Sequence, residues 1–220
     1  MITVITPTTG KKSLDLLCNS ISQQNSDIKI NHILLWDDCR DKNSKSPETY
    51  NKQNRQSYVL PDGYGRNRYA PGSALRAIGL MIANTEWVTF ADDDVWWEKN
   101  HIEELMSVLN NDINWARTYR NIWSPDGERI GIDNFESVGD DNSRKVPYEM
   151  CDNNCMIFRR EFGVKAAHLY RETKEYNDDR LMYQFLKQYA GPCGKTNSPT
   201  INQTCPNRLT EFFINNCYQN

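Results

Sequence analysis

No apolar run in this sequence approaches the ~20 residues that cross a bilayer as a helix, so no transmembrane segment is expected. The opening Met1-Ile-Thr-Val-Ile-Thr lacks a basic region followed by an apolar stretch. It reads as a strand rather than a signal peptide. Positive charge is not in excess: 26 Lys and Arg stand against 29 Asp and Glu, a net charge of −3. Proteins that bind by neutralising phosphates are normally basic, so nucleic acid is disfavoured as a partner. Histidine is scarce, with three copies, and the seven cysteines are odd in number. Cys151 and Cys155 stand four apart, but no second Cys or His pair has zinc-finger spacing. Without a secretory route the thiols read as free, in a reducing cytoplasmic compartment. An Asn-Gln-Thr at Asn202 fits a glycosylation acceptor, which carries little weight in that setting. No internal repeat is present.

What remains is a chain of 220 residues, 38% hydrophobic and 11% aromatic. That is enough for one domain with a core, and too apolar for disorder. Ile2 to Thr6 is a β-branched run, ended by Pro7-Thr8-Thr9-Gly10. Leu14, Leu17, Cys18 and Ile21 recur at helical spacing, with Ser13 as N-cap. Ile28 to Trp36 reads as a second strand, ending at Asp37-Asp38. Residues 40 to 57 are polar and without period, which predicts a long loop. A short strand comes next at Tyr58-Val59-Leu60. Ser73 to Asn84 reads as a helix, and Trp87 to Phe90 as a strand running into Asp92-Asp93-Asp94. A further helix carries Ile102, Leu105, Met106 and Leu109.

This alternation of strand and helix over about 110 residues predicts a mostly parallel sheet with helices on both faces. Ligands in such sheets sit at the carboxyl ends of strands. After residue 112 the pattern changes. Trp115 to Trp123 and Glu128 to Ile132 read as strands joined by Pro125-Asp126-Gly127. Asn154 to Arg159 is another strand. Residues 161 to 170 and 179 to 189 read as helices, and 209 to 216 as a short one. The whole reads as one α/β domain, residues 1–110 and 111–220 being its two halves.

Asp92-Asp93-Asp94 closes a buried-looking strand. In an extended segment Asp92 and Asp94 share one side and Asp93 points away. Paired carboxylates need a cation, a shared proton or basic partners. A divalent metal completed by water and phosphate is the usual solution. A solvated acidic turn that caps the next helix is the plainer alternative.

The order of these motifs resembles the nucleotide-sugar glycosyltransferases of the GT-A (Rossmann-like) fold, in particular glycosyltransferase family 2. The residues that carry it are Pro7-Thr8-Thr9-Gly10, Asp37-Asp38, Gly72-Ser-Ala-Leu-Arg76-Ala-Ile-Gly79-Leu80 and Trp87-Val-Thr-Phe90-Ala-Asp92-Asp93-Asp94-Val-Trp96-Trp97. Ala77 stands where the family usually has Asn, and the Asp triplet is one residue shorter than the common form. The resemblance implies a smaller antiparallel acceptor-side sheet beside the parallel one. It also implies a metal-dependent inverting transferase that moves a sugar from a UDP-sugar donor to a glycan or glycoprotein acceptor. The short chain is similar in kind to small virus-encoded members, including algal-virus transferases that glycosylate capsid proteins; for such a member the compartment is the host cytoplasm.

By the same resemblance, Pro7, Thr8, Thr9 and Asp37 or Asp38 surround base and ribose. Arg76, Asp92 and Asp93 belong to the nucleotide-sugar site. Asp94, with Asp92, holds Mn²⁺ or Mg²⁺. Asn177-Asp178-Asp179-Arg180-Leu181 stands in place of the family's Glu-Asp-x-x-Leu. Asp178 then takes the acceptor's proton, with Asp179 as the alternative; both also suit a helix N-terminus. Asn153, Asn154 and Trp97 are acceptor-side candidates, although core packing suits most of the tryptophans. His101 and His168 read as surface or helix-packing residues. A nucleotidyltransferase of related fold and a non-catalytic sugar-binding module are the competing readings. The first is weakened by a poor Gly-rich loop in Pro7 to Lys12.

Overall fold

A computed structural model describes residues 1–37, 45–61, 72–140, 149–172 and 177–218. Its strands and α-helices, in chain order, are β1 (Ile2–Thr8), α1 (Leu14–Ser22), β2 (Ile30–Asp37), β3 (Arg55–Leu60), α2 (Ser73–Ile82), β4 (Trp87–Phe90), β5 (Val95–Trp97), α3 (His101–Ser107), β6 (Trp115–Trp123), β7 (Arg129–Asp133), β8 (Met156–Arg159), α4 (Arg160–Glu172), α5 (Asp178–Tyr189), β9 (Cys193–Thr204), α6 (Thr210–Asn216) and β10 (Cys217–Tyr218). Short 3₁₀ turns stand at Pro47–Tyr50, Asn153–Cys155 and Asn207–Leu209.

All ten strands join one sheet, in the order β10-β7-β6-β8-β4-β1-β2-β3, with β9 beside β6 and β5. The run β4-β1-β2-β3 is parallel. β8 enters antiparallel between β4 and β6 and carries the sheet into its antiparallel part. This is the expected α/β, GT-A architecture. The antiparallel part is continuous with the parallel part through β8, where the resemblance implies a smaller second sheet.

β1 lies mid-sheet, and every residue from Ile2 to Thr8 is buried. Helix α1 buries Leu14, Leu17, Cys18 and Ile21, the stripe its spacing predicts. Helix α2 packs so close to β1 that a Cβ on Gly79 would stand 2.4 Å from Ile5 Cγ2. Only a residue without a side chain permits that approach. Because β4, β1 and β2 run parallel, Phe90, Thr8 and Asp37 end on one side of the sheet. The loops leaving those ends border a common cleft.

Four further sequence expectations are corrected. Residues 40–57 are not one loop: 47–50 form a turn, and β3 begins at Arg55. Exposed edge strands carry little hydrophobic period, and in β3 only Arg55 is buried. Residues 193–204 form the 12-residue strand β9, which sequence reading passed over. Ser13 makes no side-chain cap bond to α1. The Asp triplet is a turn rather than an extended segment, since Val95 N donates to the Asp92 carbonyl at 3.3 Å.

Candidate active site

The turn after β4 lies against the loop after β1. Thr8 Oγ1 donates to Asp93 Oδ2 at 2.7 Å and accepts from Gly10 N at 2.9 Å. Lys11 Nζ stands 2.9 Å from both Asp93 Oδ1 and Asp94 Oδ2. Asp93 is buried and Asp94 keeps 43% of its side chain exposed. Asp93 and Asp94 therefore meet one cation, where strand alternation would have parted them. Burial, then the nearby Asp92 charge, pushes the Asp94 carboxyl above its ordinary pKa, against the pull of Lys11.

Asp92 meets a second cation. Its Oδ1 pairs closely with Arg76 Nη2. Arg76 comes from the first turns of α2, which starts after Gly72 at φ +79°. Its Nη1 reaches Asp178 Oδ2 at 3.4 Å. Ser73 Oγ donates to that same oxygen at 2.6 Å. Burial works against the Arg76 charge, but Asp92 and Asp178 more than offset it and raise its pKa. One guanidinium thus ties the end of β4 to the start of α5.

The loop before β8 completes the site. The Asp92 N–H donates to Asn154 Oδ1 at 2.6 Å, and Asn154 Nδ2 donates to Asp92 Oδ2 at 3.1 Å. Asp152 Oδ1 caps that loop through Asn154 N and Nδ2, at 2.8 and 2.7 Å. Asn153 N donates to Asp179 Oδ1 at 3.1 Å, and Tyr170 OH donates to Asn153 Oδ1 at 2.6 Å. The Asn153 Nδ2 group is buried without a partner among the described residues. Burial, then Asp152 and Asp178, pushes the Asp179 carboxyl well above the usual range.

The sequence profile described as Glycosyl transferase family 2 matches residues 3–163. The chain belongs to glycosyl transferase family 2. A search of curated protein sequences found no match. Among solved structures, S. aureus TarS 1–349 is similar with a TM-score of 0.65 and 19% identity, covering 100% of this chain and 66% of that one. The same fragment in complex with UDP-GlcNAc gives 0.63 and 18%, covering 93% and 58%. In complex with UDP it gives 0.63 and 19%, covering 100% and 67%. Likeness at such identities shows the shared fold. The chain spans about two thirds of the TarS fragment.

Within this family 2 domain, Pro7, Thr8, Arg76, Asp92, Asp93, Asp94, Asn153, Asn154, Asp178 and Asp179 gather at one end of the parallel strands. Thr9 is half-buried in the loop after β1, and Asp37 is buried at the end of β2. Asp38 lies outside the described residues. Trp97 lies in β5, buried, with its ring 4.2 Å from that of His101. His101 is wholly buried and His168 exposed.

A divalent metal fits this donor set. Carboxylate oxygens suit Mg²⁺ and Mn²⁺, and the charge of Asp92 on Asp94 is repulsion that a dication would relieve. Among the described residues no group of three His, Cys, Asp or Glu forms a complete cage. One or two carboxylates finished by phosphates need none.

Sequence reading missed Ser73, Lys11, Tyr170 and Asp152 as parts of the site. It also missed Arg120, a buried guanidinium that pairs with Asp133 at 2.8 Å, with Glu136 at 2.6 Å and with Asp152. Arg120 thereby steadies the Asp152 that caps the Asn154 loop. No local motif marks such a residue; it is found only once β6, β7 and the loop before β8 are placed side by side. Among the described residues no helix is long and apolar enough to cross a membrane.

Proposed function

We propose that this family 2 domain is a metal-dependent, inverting glycosyltransferase that moves a hexosyl group from a UDP-sugar to a hydroxyl of a glycan or glycoprotein. The observation that carries the reading is the Arg76 bridge between Asp92, on the donor side, and Asp178, on the acceptor side. The TarS fragment with which the chain shares its fold has been solved with UDP and with UDP-GlcNAc. Pro7, Thr8, Thr9 and Asp37 border the nucleoside. A carboxylate such as Asp37 accepts well from ribose hydroxyls or a uracil N–H.

Asp94, with Asp92, would hold Mn²⁺ or Mg²⁺. A bound dication screens the diphosphate and eases departure of the UDP leaving group. Arg76 adds a fixed positive charge beside that leaving group. Asp178 is the general base. Its Oδ2 is anchored by Ser73 and Arg76, and its Oδ1 has no hydrogen bond among the described residues. Oδ1 takes the acceptor hydroxyl proton as the acceptor oxygen attacks the anomeric carbon, and the bond to the β-phosphate oxygen breaks. Single displacement inverts the anomeric centre. Burial and the charges of Asp152 and Asp178 favour the protonated form of the neighbouring Asp179 carboxyl.

A panel of UDP-sugars with and without Mn²⁺, run on wild type, Asp178→Asn and Asp94→Ala, tests this. The expected result is transfer by wild type with Mn²⁺, and loss of about 10²–10⁴-fold in Asp178→Asn. Equal turnover in the wild type and Asp178→Asn would overturn the base assignment. Equal metal response in Asp94→Ala would overturn the metal assignment.

A further inference from the structure

A cavity of about 350 Å³ runs beside α1, away from the candidate active site. Its lining includes Asn19, Lys45, Thr49, Tyr50, Lys52 and Arg55. Arg55 opens β3 and is only 6% exposed. Its Nε donates to His32 Nδ1 at 3.1 Å, and its Nη2 donates to the Cys18 carbonyl at 2.7 Å. Both acceptors are neutral. His32 is buried, and its burial, with Arg55 beside it, holds its pKa well below the usual value. Its Nε2–H is then free to donate to Thr6 Oγ1, at 2.9 Å.

No carboxylate pairs with Arg55 among the described residues. The acidic side chain in the lining is Asp15. It is already engaged by Lys45 Nζ at 2.7 Å and Tyr50 OH at 2.9 Å. Lys45 and Asp15 cancel, which leaves the charges of Arg55 and Lys52. A buried guanidinium without a counter-ion is costly. Its bond to Cys18 does place the cation on a carbonyl midway along α1. That role uses Nη2 only. It accounts neither for Nη1, which has no bond among the described residues, nor for Lys52 on the rim.

The site is separate from the donor cleft. In the β2–β3 register His32 pairs with Arg55 and Asp37 with Leu60. Five residues of strand, about 17 Å, divide Arg55 from the carboxyl ends. The cavity is also larger than an inorganic anion requires and within the range of small-molecule sites, which begin at about 300 Å³. Tyr50 supplies a ring as one wall, and Asn19 and Thr49 supply an amide and a hydroxyl.

We propose that this cavity is a second binding site, for a small phosphate-bearing molecule whose phosphate lies on Arg55 and Lys52 and whose hydroxylated part lies against Tyr50, Asn19 and Thr49. It is independent of the transfer reaction.

Calorimetric titration with inorganic phosphate and with ribose 5-phosphate tests it, on wild type, Lys52→Ala, Arg55→Gln and Asp94→Ala. Wild type should bind both, the sugar phosphate more tightly. Lys52→Ala should weaken both by about tenfold, one charge-assisted contact. Arg55→Gln should abolish binding, and Asp94→Ala should leave it unchanged. No binding to wild type, or equal binding to Lys52→Ala, would overturn the proposal. Loss in Asp94→Ala would also overturn it, by assigning the anion to the donor cleft. Lys52 is on the rim, so its variant decides the matter even where Arg55→Gln fails to fold.

Discussion

Ser73 Oγ donates to Asp178 Oδ2 at 2.6 Å, across 105 residues of sequence. The bond joins the first turn of α2 to the first turn of α5, and it fixes which oxygen of the proposed base faces inward. Ser73→Ala should therefore cut kcat by about tenfold while moving the donor KM by less than about threefold, because positioning acts mainly on the reacting step. A variant whose kcat is unchanged would show that Arg76 alone aims Asp178.

Arg76 is the only cation with a direct ion pair to Asp92 or Asp178 among the described residues. Arg76→Ala would leave two largely buried carboxylates facing each other. Breaking such an arrangement typically costs about 3–5 kcal/mol. The expected urea midpoint drops steeply. Arg76→Lys should fall between, since an ammonium cannot reach both carboxylates as the planar fork does.

Gly79 packs on Ile5 at a distance that no Cβ can occupy. Gly79→Ala should destabilise the fold by about 1–3 kcal/mol, the usual cost of overpacking. Combined with Ile5→Ala, it should cost less in thermal melts than the sum of the two single changes, because the crowding Cγ2, Cγ1 and Cδ1 atoms all belong to Ile5. Full additivity of the two changes would exclude this contact as the cause.

Gly79 also marks where the sequence could be read. Its place on a helix that must approach a strand comes from hydrophobic spacing, as do β1, β2, α1 and β4. The strand β9 could not be read in that way. Its Thr200 and Asn202 are buried, yet polar. Thr200 bonds His101 and Thr118; Asn202 accepts from Asn121 and Trp123 and donates to Glu98. Side-chain partners from elsewhere in the chain satisfy that strand, and no periodicity in 193–204 announces them. The same burial removes Asn202 as a glycosylation acceptor in the folded chain. In the site, Asp92, Asp94, Arg76 and Asp178 were legible because they fall in short motifs. Ser73, Tyr170 and Arg120 were not, because each acts through a residue distant in sequence.

Two buried histidines set the acid response. His32 and His101 both have pKa values lowered by burial, His101 to about 3. The unfolded chain therefore binds these protons more readily than the folded one. The stability that neutral histidine contributes is complete above the unfolded value of about 6.5 and is lost as pH falls from there toward the folded values. Each contributes a slope of up to about 1.4 kcal/mol per pH unit. Urea midpoints at pH 7.5 and 5.5 should show the wild type losing stability over a range where most carboxylates are still ionised. His101→Gln should lose less over the same interval. Parallel losses in both proteins would refute the role of His101.

Lys11 occupies Asp94, one of the two carboxylates that the proposed metal would need. Its Nζ stands 2.9 Å from Asp93 and from Asp94, and those charges raise its own pKa against burial. A dication on Asp94 competes with that ammonium. Lys11→Met removes the competitor and leaves the buried Asp93 with Thr8 as its side-chain partner among the described residues, so the metal-free variant should be less stable than wild type. Metal then replaces the missing charge. Because a ligand that binds only the folded state raises its stability in proportion to affinity, the rise in Tm on adding Mn²⁺ with UDP should be larger in Lys11→Met than in the wild type. A smaller rise would mean that Lys11 assists the bound diphosphate more than it obstructs the metal, and it would place the ammonium on the phosphates in the loaded site.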